Sequence, residues 1–337
     1  MAKTTARSKA SGEIKPLVLA IDPGNGWIKF VDREGRRRCI PSFVKQLRPR
    51  ESGTPDEHSA LISLDGARYA VGEVAGTLGG QPLFAMGKAA YGHVAIAAAI
   101  AMSTPPTDAP IELRVLVPDD SKDEWSKFGS DLSNKLEQFQ ASDDIYLPNF
   151  SSVRLVPEGL PVWEYVKTRN LVPGQHVGKP IGVLDAGTGD LTGYLFTATG
   201  EIIRSSGASF IVPGFKALVG DLGSAIDEQI VGSADRAVLM SNIKRGVYTY
   251  QTASGEFDFS NLLKELKSLW LKELATSIAS DRWSDYMDKI GMVYIVGGAS
   301  PLLKPLEKAF GGRFEVLQIP GVEDPQVVNA FLLSQMA

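Results

Sequence analysis

VLAIDPGNGWIKFV, residues 18–31, and IGVLDAGTGDLTGYLF, residues 181–196, are two copies of one phrase. Each runs from an apolar stretch through Asp-x-Gly-x-Gly into a second stretch with apolar content. Asp22 aligns with Asp185, Gly24 with Gly187 and Gly26 with Gly189. The pattern reads as strand, tight turn, strand. Glycines tolerate positive φ and let backbone N–H groups come close to a ligand. Successive N–H groups in such a turn form a concavity for phosphate. The aspartate at the end of the first strand would repel phosphate unless a cation intervened. Mg²⁺ suits that place, because it combines carboxylates, phosphate oxygens and retained waters. Lys29 follows the first turn and can neutralise a β- or γ-phosphate, while Asn25 and Thr188 can add side-chain hydrogen bonds. One such turn alone is an ordinary β-turn. Two in matching contexts, half a chain apart, indicate related halves facing a shared site.

Other phosphate motifs are missing. No GxxxxGK[ST] loop occurs, and no GxGxxG opens a helix after the first strand. A third glycine element, MVYIVGGASPLLKPLEKAF at 292–310, predicts a strand, a Gly-Gly turn and a helix, with Ser300 as cap and Pro301 at the first helical position. Gly297 and Gly298 would let a flat base or a ribose lie against the backbone; a ligand-free strand–helix turn is the plain alternative.

Composition is that of a globular protein: 337 residues, enough for two domains, with 44% hydrophobic and 22% charged residues. A net charge of −4 argues against a general polyanion-binding surface. The single cysteine, Cys39, excludes an intrachain disulfide and fits a reducing cytoplasm. His58, His93 and His176 are scattered without zinc spacing. The longest apolar run, 94–102, is too short to span a bilayer. The polar, basic start is read as a disordered tail over residues 1–14 and not as a secretory signal.

Along the chain, 17–44 reads as hairpins, 48–60 and 76–87 as loops, and 88–102 as an Ala-rich helix. Residues 111–118 and 153–157 read as strands, 123–139 as a helix, and the segment after Glu158 as a helix through Lys167. Residues 171–180 are a natural hinge. Helical spacing follows at 215–226, 234–245 and 259–280; Leu262, Leu263, Leu266, Leu269, Trp270 and Leu274 form one face of the last. Asp32-Arg33-Glu34-Gly35 is a hairpin turn, and the arginines at 36–38 read by default as solvated.

The three glycine elements, in this order, resemble those of the actin/Hsp70/sugar-kinase ATPase superfamily. Asp22–Lys29 is similar to its first phosphate motif, Asp185–Thr192 to the second, and Ile295–Ser300 to the adenosine motif, which adds Ala299 to Gly297 and Gly298. VRLVPEGLPVWEYVK at 153–167 resembles the segment carrying the water-orienting group, and DPQVVNAFLL at 324–333 the closing helix. RRRCIPSFV at 36–44 and GARYAVGEVA at 66–75 resemble segments of the ParM-like, plasmid-partition actins of bacteria.

The resemblance implies an α/β fold of two actin-like domains, each a mixed β-sheet with flanking helices, around a nucleotide cleft. Domain I would span 15–172, completed by 322–337, and domain II 173–321. ATP, or GTP, would bind with Mg²⁺ held by Asp22 and Asp185. Glu158 would orient the attacking water and act with Asp185 in catalysis, and Lys244 would flank the base; a helix-start glutamate and an exposed helix-end lysine are the plain readings of Glu158 and Lys244. The implied activity is ATP hydrolysis coupled to head-to-tail filaments that segregate plasmid DNA through a ParR-like DNA-bound adaptor, with no direct nucleic-acid contact, in the cytoplasm. A small-molecule kinase or phosphatase, or a chromosomal filament, shares the same motifs. Two positions depart from the pattern. Asp190 would point outward or join the metal's water shell, and bulky Trp27 would pack outward into its own domain.

Overall fold

Three antiparallel strands and two parallel ones, joined in the same order, form a sheet in each half of the chain. The computed structural model describes residues 16–32, 34–103, 109–118 and 123–336; the basic tail and Arg33 lie outside them. The first half contributes β1 (Leu17–Pro23), β2 (Trp27–Val31), β3 (Arg37–Pro41), β4 (Phe43–Gln46), β5 (Ser59–Leu64), β6 (Ala67–Gly72), α1 (Glu73–Thr77), β7 (Gln81–Pro82), α2 (Leu83–Met86) and α3 (Lys88–Ser103). It continues with β8 (Ile111–Val117), α4 (Asp123–Lys135), β9 (Phe139–Ala141), β10 (Asp144–Tyr146), β11 (Phe150–Pro157) and α5 (Leu160–Thr168). The second half contributes β12 (Ile181–Ala186), β13 (Asp190–Phe196), β14 (Phe210–Pro213), α6 (Phe215–Asp227), α7 (Arg236–Lys244), the hairpin β15 (Thr249–Thr252) and β16 (Gly255–Asp258), and α8 (Ser260–Thr276). β17 (Met292–Val296), α9 (Pro305–Ala309), β18 (Phe314–Val316) and α10 (Val328–Gln335) complete it.

The first sheet has the order β11-β8-β1-β2-β3 and the third β14-β13-β12-β17-β18. In the first, β1 pairs antiparallel with β2 and parallel with β8. In the third, β12 pairs antiparallel with β13 and parallel with β17. The repeated phrase therefore occupies the same place in two sheets of the same design. A six-stranded antiparallel sheet, β10-β9-β5-β6-β4-β7, is built from strands that leave the first half's main run.

Burial follows the strand class. β17, between two parallel neighbours, is buried at every residue, as its unbroken apolar run MVYIV requires. The Ala-rich α3 packs against the first half's sheets, with Val94, Ile96 and Ile100 in a core shared with Leu19 and Ile21. α6 and α8 cover one face of the third sheet. A separate core joins α5, α10 and that sheet's other face through Val162, Val166, Tyr294 and Leu332.

Several expectations change. The 76–87 segment, expected as loop, holds the end of α1, β7 and α2. The helix expected over 123–139 stops at Lys135, because Phe139 enters the β9–β10 hairpin and stacks on Tyr146. In α8, Leu263, Trp270 and Leu274 are buried but Leu269 is exposed, so the predicted face is only partly core. Arg37 is exposed, but its guanidinium also lies over Phe331 at 4.6 Å and donates to the Gly321 carbonyl.

Candidate nucleotide site

The two Asp-x-Gly-x-Gly turns face each other across the gap between the sheets. Their carbonyl oxygens are tied back into their own halves. Ser42 Oγ donates to the Asn25 carbonyl at 2.6 Å and the Ser42 N–H to that of Gly26 at 3.1 Å. The Lys216 N–H holds the Thr188 carbonyl at 2.8 Å and the Gly214 N–H that of Gly189 at 3.0 Å. With the carbonyls turned away, the opposite edge of each peptide faces the gap, the arrangement an anion-binding turn needs. A Cβ at Gly189 would meet nothing within 4 Å, so that turn is open to a ligand.

Asp22, Lys29, Glu158 and Asp185 line the same small cavity, of about 60 Å³, as both turns. Antiparallel register sets Asp22 opposite Lys29, and Lys29 Nζ donates to Asp22 Oδ2 at 2.8 Å. Burial opposes the lysine's charge, but Asp22 and Asp185 outweigh it and raise its pKa above the ordinary value. Burial likewise pushes the Asp185 carboxyl up to about 7, aided by the nearby charges of Glu158 and Asp22 and opposed by Lys29 and the Asn329 hydrogen bond. Glu158 sits at the end of β11, its N–H on the Val117 carbonyl at 2.8 Å. Tyr194 Oη lies 3.0 Å from Glu158 Oε2, and Lys88 Nζ is 3.8 Å from Oε1.

The third glycine element crosses directly over Asp185. Gly297 has φ 92°, and a Cβ there would lie 2.4 Å from Asp185 Oδ1, so only glycine fits. Ala299 N–H bonds the Ala186 carbonyl at 2.9 Å, tying this turn to the second phrase. Ser300 is not a helix cap: Ala299 holds that place, and a 3-10 turn over Ser300–Leu303 precedes α9. Beyond this turn lies a larger cavity of about 310 Å³, where Ile243, Lys244, Ala299, Leu302 and Pro325 provide walls. Thr188, Gly298 and Gln326 line both cavities, so the polar cleft and the wider pocket adjoin.

Two residues depart from expectation. Trp27 does not pack away into its own half; it lines the polar cleft, with Lys244 Nζ 5.5 Å from its ring. Asp190 does not point outward: it lines the cleft, and its Oδ2 accepts from Asn25 Nδ2 at 2.8 Å and joins the two turns. Lys244 ends α7, surface-exposed yet at the wall of the wider pocket, where burial lowers its pKa.

The sequence motifs give no role to Lys88 or Tyr194, and mark Asn329 only by its place, with Ala330, in the closing-helix phrase. Lys88 carried a signal, a lysine directly before an Ala-rich helix, and Asn329 another, a lone amide in the apolar run VNAFLL. Tyr194 carried none; it is the fifth residue of β13, two after Thr192, and only the tertiary fold brings it to Glu158.

The donor set fits a nucleotide–Mg²⁺ pair. Among the described residues no three His, Cys, Asp or Glu side chains cluster as a metal site. Mg²⁺ commonly needs only one or two carboxylates when phosphate and water complete its shell. Asp22 and Asp185 would supply these, and the buried Asn329 Oδ1, without a hydrogen-bond partner among the described residues, adds an acceptor beside them.

Comparisons with known proteins place the fold. Residues 20–160 match the family model of the actin-like proteins' N-terminal domain. The fold is actin-like. It is similar to that of Ta0583, an archaeal actin homologue, with a TM-score of 0.73 at 15% identity over 95% of this chain and 98% of that one. The Ta0583 complex with ADP gives 0.71 at 16% identity over the same shares. A ParM from a 15-stranded filament of Clostridium botulinum gives 0.69 at 15% identity, over 95% and 98%. The actin-like protein Alp7A gives 0.70 at 15%, over 94% of each chain. No curated protein matches the sequence. Among the described residues of this actin-like chain, no helix is long and apolar enough to cross a membrane.

Proposed function

We propose that this actin-like chain is a cytoplasmic ATPase whose hydrolysis times the growth and loss of head-to-tail filaments. The observation that carries the reading is the facing pair of duplicated turns, whose polar cleft adjoins an apolar pocket through Thr188, Gly298 and Gln326. That outline matches a nucleotide: phosphates between Gly24–Gly26 and Gly187–Gly189, base beside Lys244 and Ala299. Domain I would be 15–172 with 322–337, and domain II 173–321; the separate cores of the two halves support this division.

Phosphoryl transfer to water depends on positioning and electrostatics more than on covalent chemistry. Lys29 and the turn amides offset charge on the β- and γ-phosphates. Glu158 orients the attacking water, with Tyr194 fixing one of its carboxylate oxygens. Lys88, beside the other oxygen, adds positive charge at the γ-phosphate end. Mg²⁺, when bound, would supply charge neutralisation and orientation of the phosphate oxygens, and Asp22 and Asp185 would hold it.

Hydrolysis alters the contacts that span the cleft, and with them the angle between halves that sets the subunit contact. Head-to-tail contacts that do not close give open filaments. The filament would move plasmid DNA through a ParR-like adaptor, consistent with a net charge of −4 that favours no direct DNA contact. Sedimentation with ATP and Mg²⁺, paired with phosphate release, tests the reading. Wild type should pellet and release phosphate, and Glu158→Ala should pellet while releasing phosphate at least about a hundredfold more slowly. Equal rates in both proteins remove Glu158 from the mechanism. No polymer across salt and Mg²⁺ conditions would leave a soluble kinase or phosphatase as the better account.

A further inference from the structure

α10 lies along β1 and β2 of the first half, while its Val328 and Leu332 pack on the second half's sheet. One of its polar side chains also reaches the second half. Asn329 Nδ2 donates to Asp185 Oδ2 at 2.7 Å. The residue is 3% exposed, and its neighbours Val328, Ala330, Leu332 and Leu333 are buried apolar side chains. Its Oδ1 is buried and has no hydrogen-bond partner among the described residues. A buried acceptor without a donor is costly, because the hydration it loses is not replaced. Helix packing alone would favour an apolar residue here, so the amide needs another reason.

The surroundings supply one. Asp185 Oδ2 is occupied by the Asn329 amide, and Asp185 lines the cleft with Asp22 and Lys29. A hydrated cation held there brings O–H donors, the partners that Oδ1 lacks. We infer that Asn329 is a positioning residue of the cation site: its N–H fixes the Asp185 carboxylate and its carbonyl oxygen accepts from a metal-bound water. A helix of the first half thus holds a carboxylate of the second in the orientation the cation requires. The inference rests on the nucleotide–Mg²⁺ reading above.

ADP binding by calorimetry, in Mg²⁺ and in EDTA, tests it for wild type, Asn329→Ala and Asn329→Asp. The Mg²⁺ concentration giving half of the ADP-dependent rise in melting temperature is the second readout. Partners of metal ligands typically govern metal affinity by about 10–100-fold. Asn329→Ala should therefore need about ten times more Mg²⁺ or beyond, while its ADP affinity in EDTA stays near that of wild type. Asn329→Asp keeps the shape, loses the donor and sets a carboxylate against Asp185. It should be stabilised by Mg²⁺ without nucleotide more than wild type is. An unchanged Mg²⁺ midpoint in both variants overturns the inference. So does an equal loss of ADP affinity in Mg²⁺ and EDTA, the mark of a residue that only braces the fold. Wild type lacking Mg²⁺-dependent ADP binding would overturn the nucleotide reading itself.

Discussion

At the scale of single residues, two buried titrating groups pull the pH dependence of stability in opposite directions. Asp185 has its carboxyl raised from 3.8 to about 7. The folded chain prefers it neutral, so its contribution is fully present below 3.8 and is lost as pH rises through 7. Asp185→Asn removes that loss. The nucleotide-free variant should be more stable than wild type at pH 8, by about 1–3 kcal/mol in urea melts, and equal to it near pH 4. This is the usual conflict between a strained site and stability. His93, on α3, has its pKa lowered from 6.5 to about 4 by burial, with Lys135 adding to the effect. Its contribution is complete above 6.5 and is lost as pH falls toward 4, since the unfolded chain takes up the proton first. His93→Gln should flatten the acid side of the stability curve and leave pH 8 unaffected in slope. Asp22, Lys29 and the turn glycines were legible in the sequence because each lies within a few residues of its partners. Lys88 and Tyr194 reach Glu158 from 70 and 36 residues away respectively, a distance no local pattern spans.

At the scale of elements, the two phosphate turns are joined by the Asn25–Asp190 hydrogen bond. That contact spans the cleft where phosphates would lie, and a carboxylate there opposes their charge. Asp190→Ala should bind ADP–Mg²⁺ more tightly, on the order of tenfold, or about 1.4 kcal/mol, in a calorimetric titration. Weaker binding would mean that Asp190 serves the ligand and not the closed state. Asp190 was visible in the sequence as a departure from the motif, but its partner was not. Strand alternation allows it only two faces; which of them meets Asn25 depends on how the halves dock. Trp27 was misread for the same reason. A bulky apolar side chain beside a turn suits its own core, yet Lys244 and the cleft wall give it a place across the gap. The shorter helix after Asp123 has a local cause, since the stacked pair Phe139 and Tyr146 draws the chain into a hairpin.

At the scale of the whole molecule, the contacts between the halves include Asn25 with Asp190, Asn329 with Asp185, Trp27 with Lys244, Tyr194 with Glu158, and the core around α5 and α10. A ligand gripping both turns adds to all of them at once. ADP with Mg²⁺ at a hundred times its dissociation constant should stabilise the chain by about 2.7 kcal/mol. The rise should appear in both halves together, as one calorimetric transition. A rise confined to one half would place the ligand in a single domain.

By itself the sequence determined the duplicated strand–turn–strand design, the glycines over the cleft and the class of site they can form. Those follow from the period-2 strand pattern, from the φ that glycine alone adopts, and from charges spaced closely along the chain. The tertiary structure decided which residues meet across the gap. It joined Asp190 to Asn25, turned Trp27 toward Lys244 and set Asn329 of the last helix on Asp185. Such pairings depend on the relative placement of two sheets more than a hundred residues apart, and no local propensity encodes that placement.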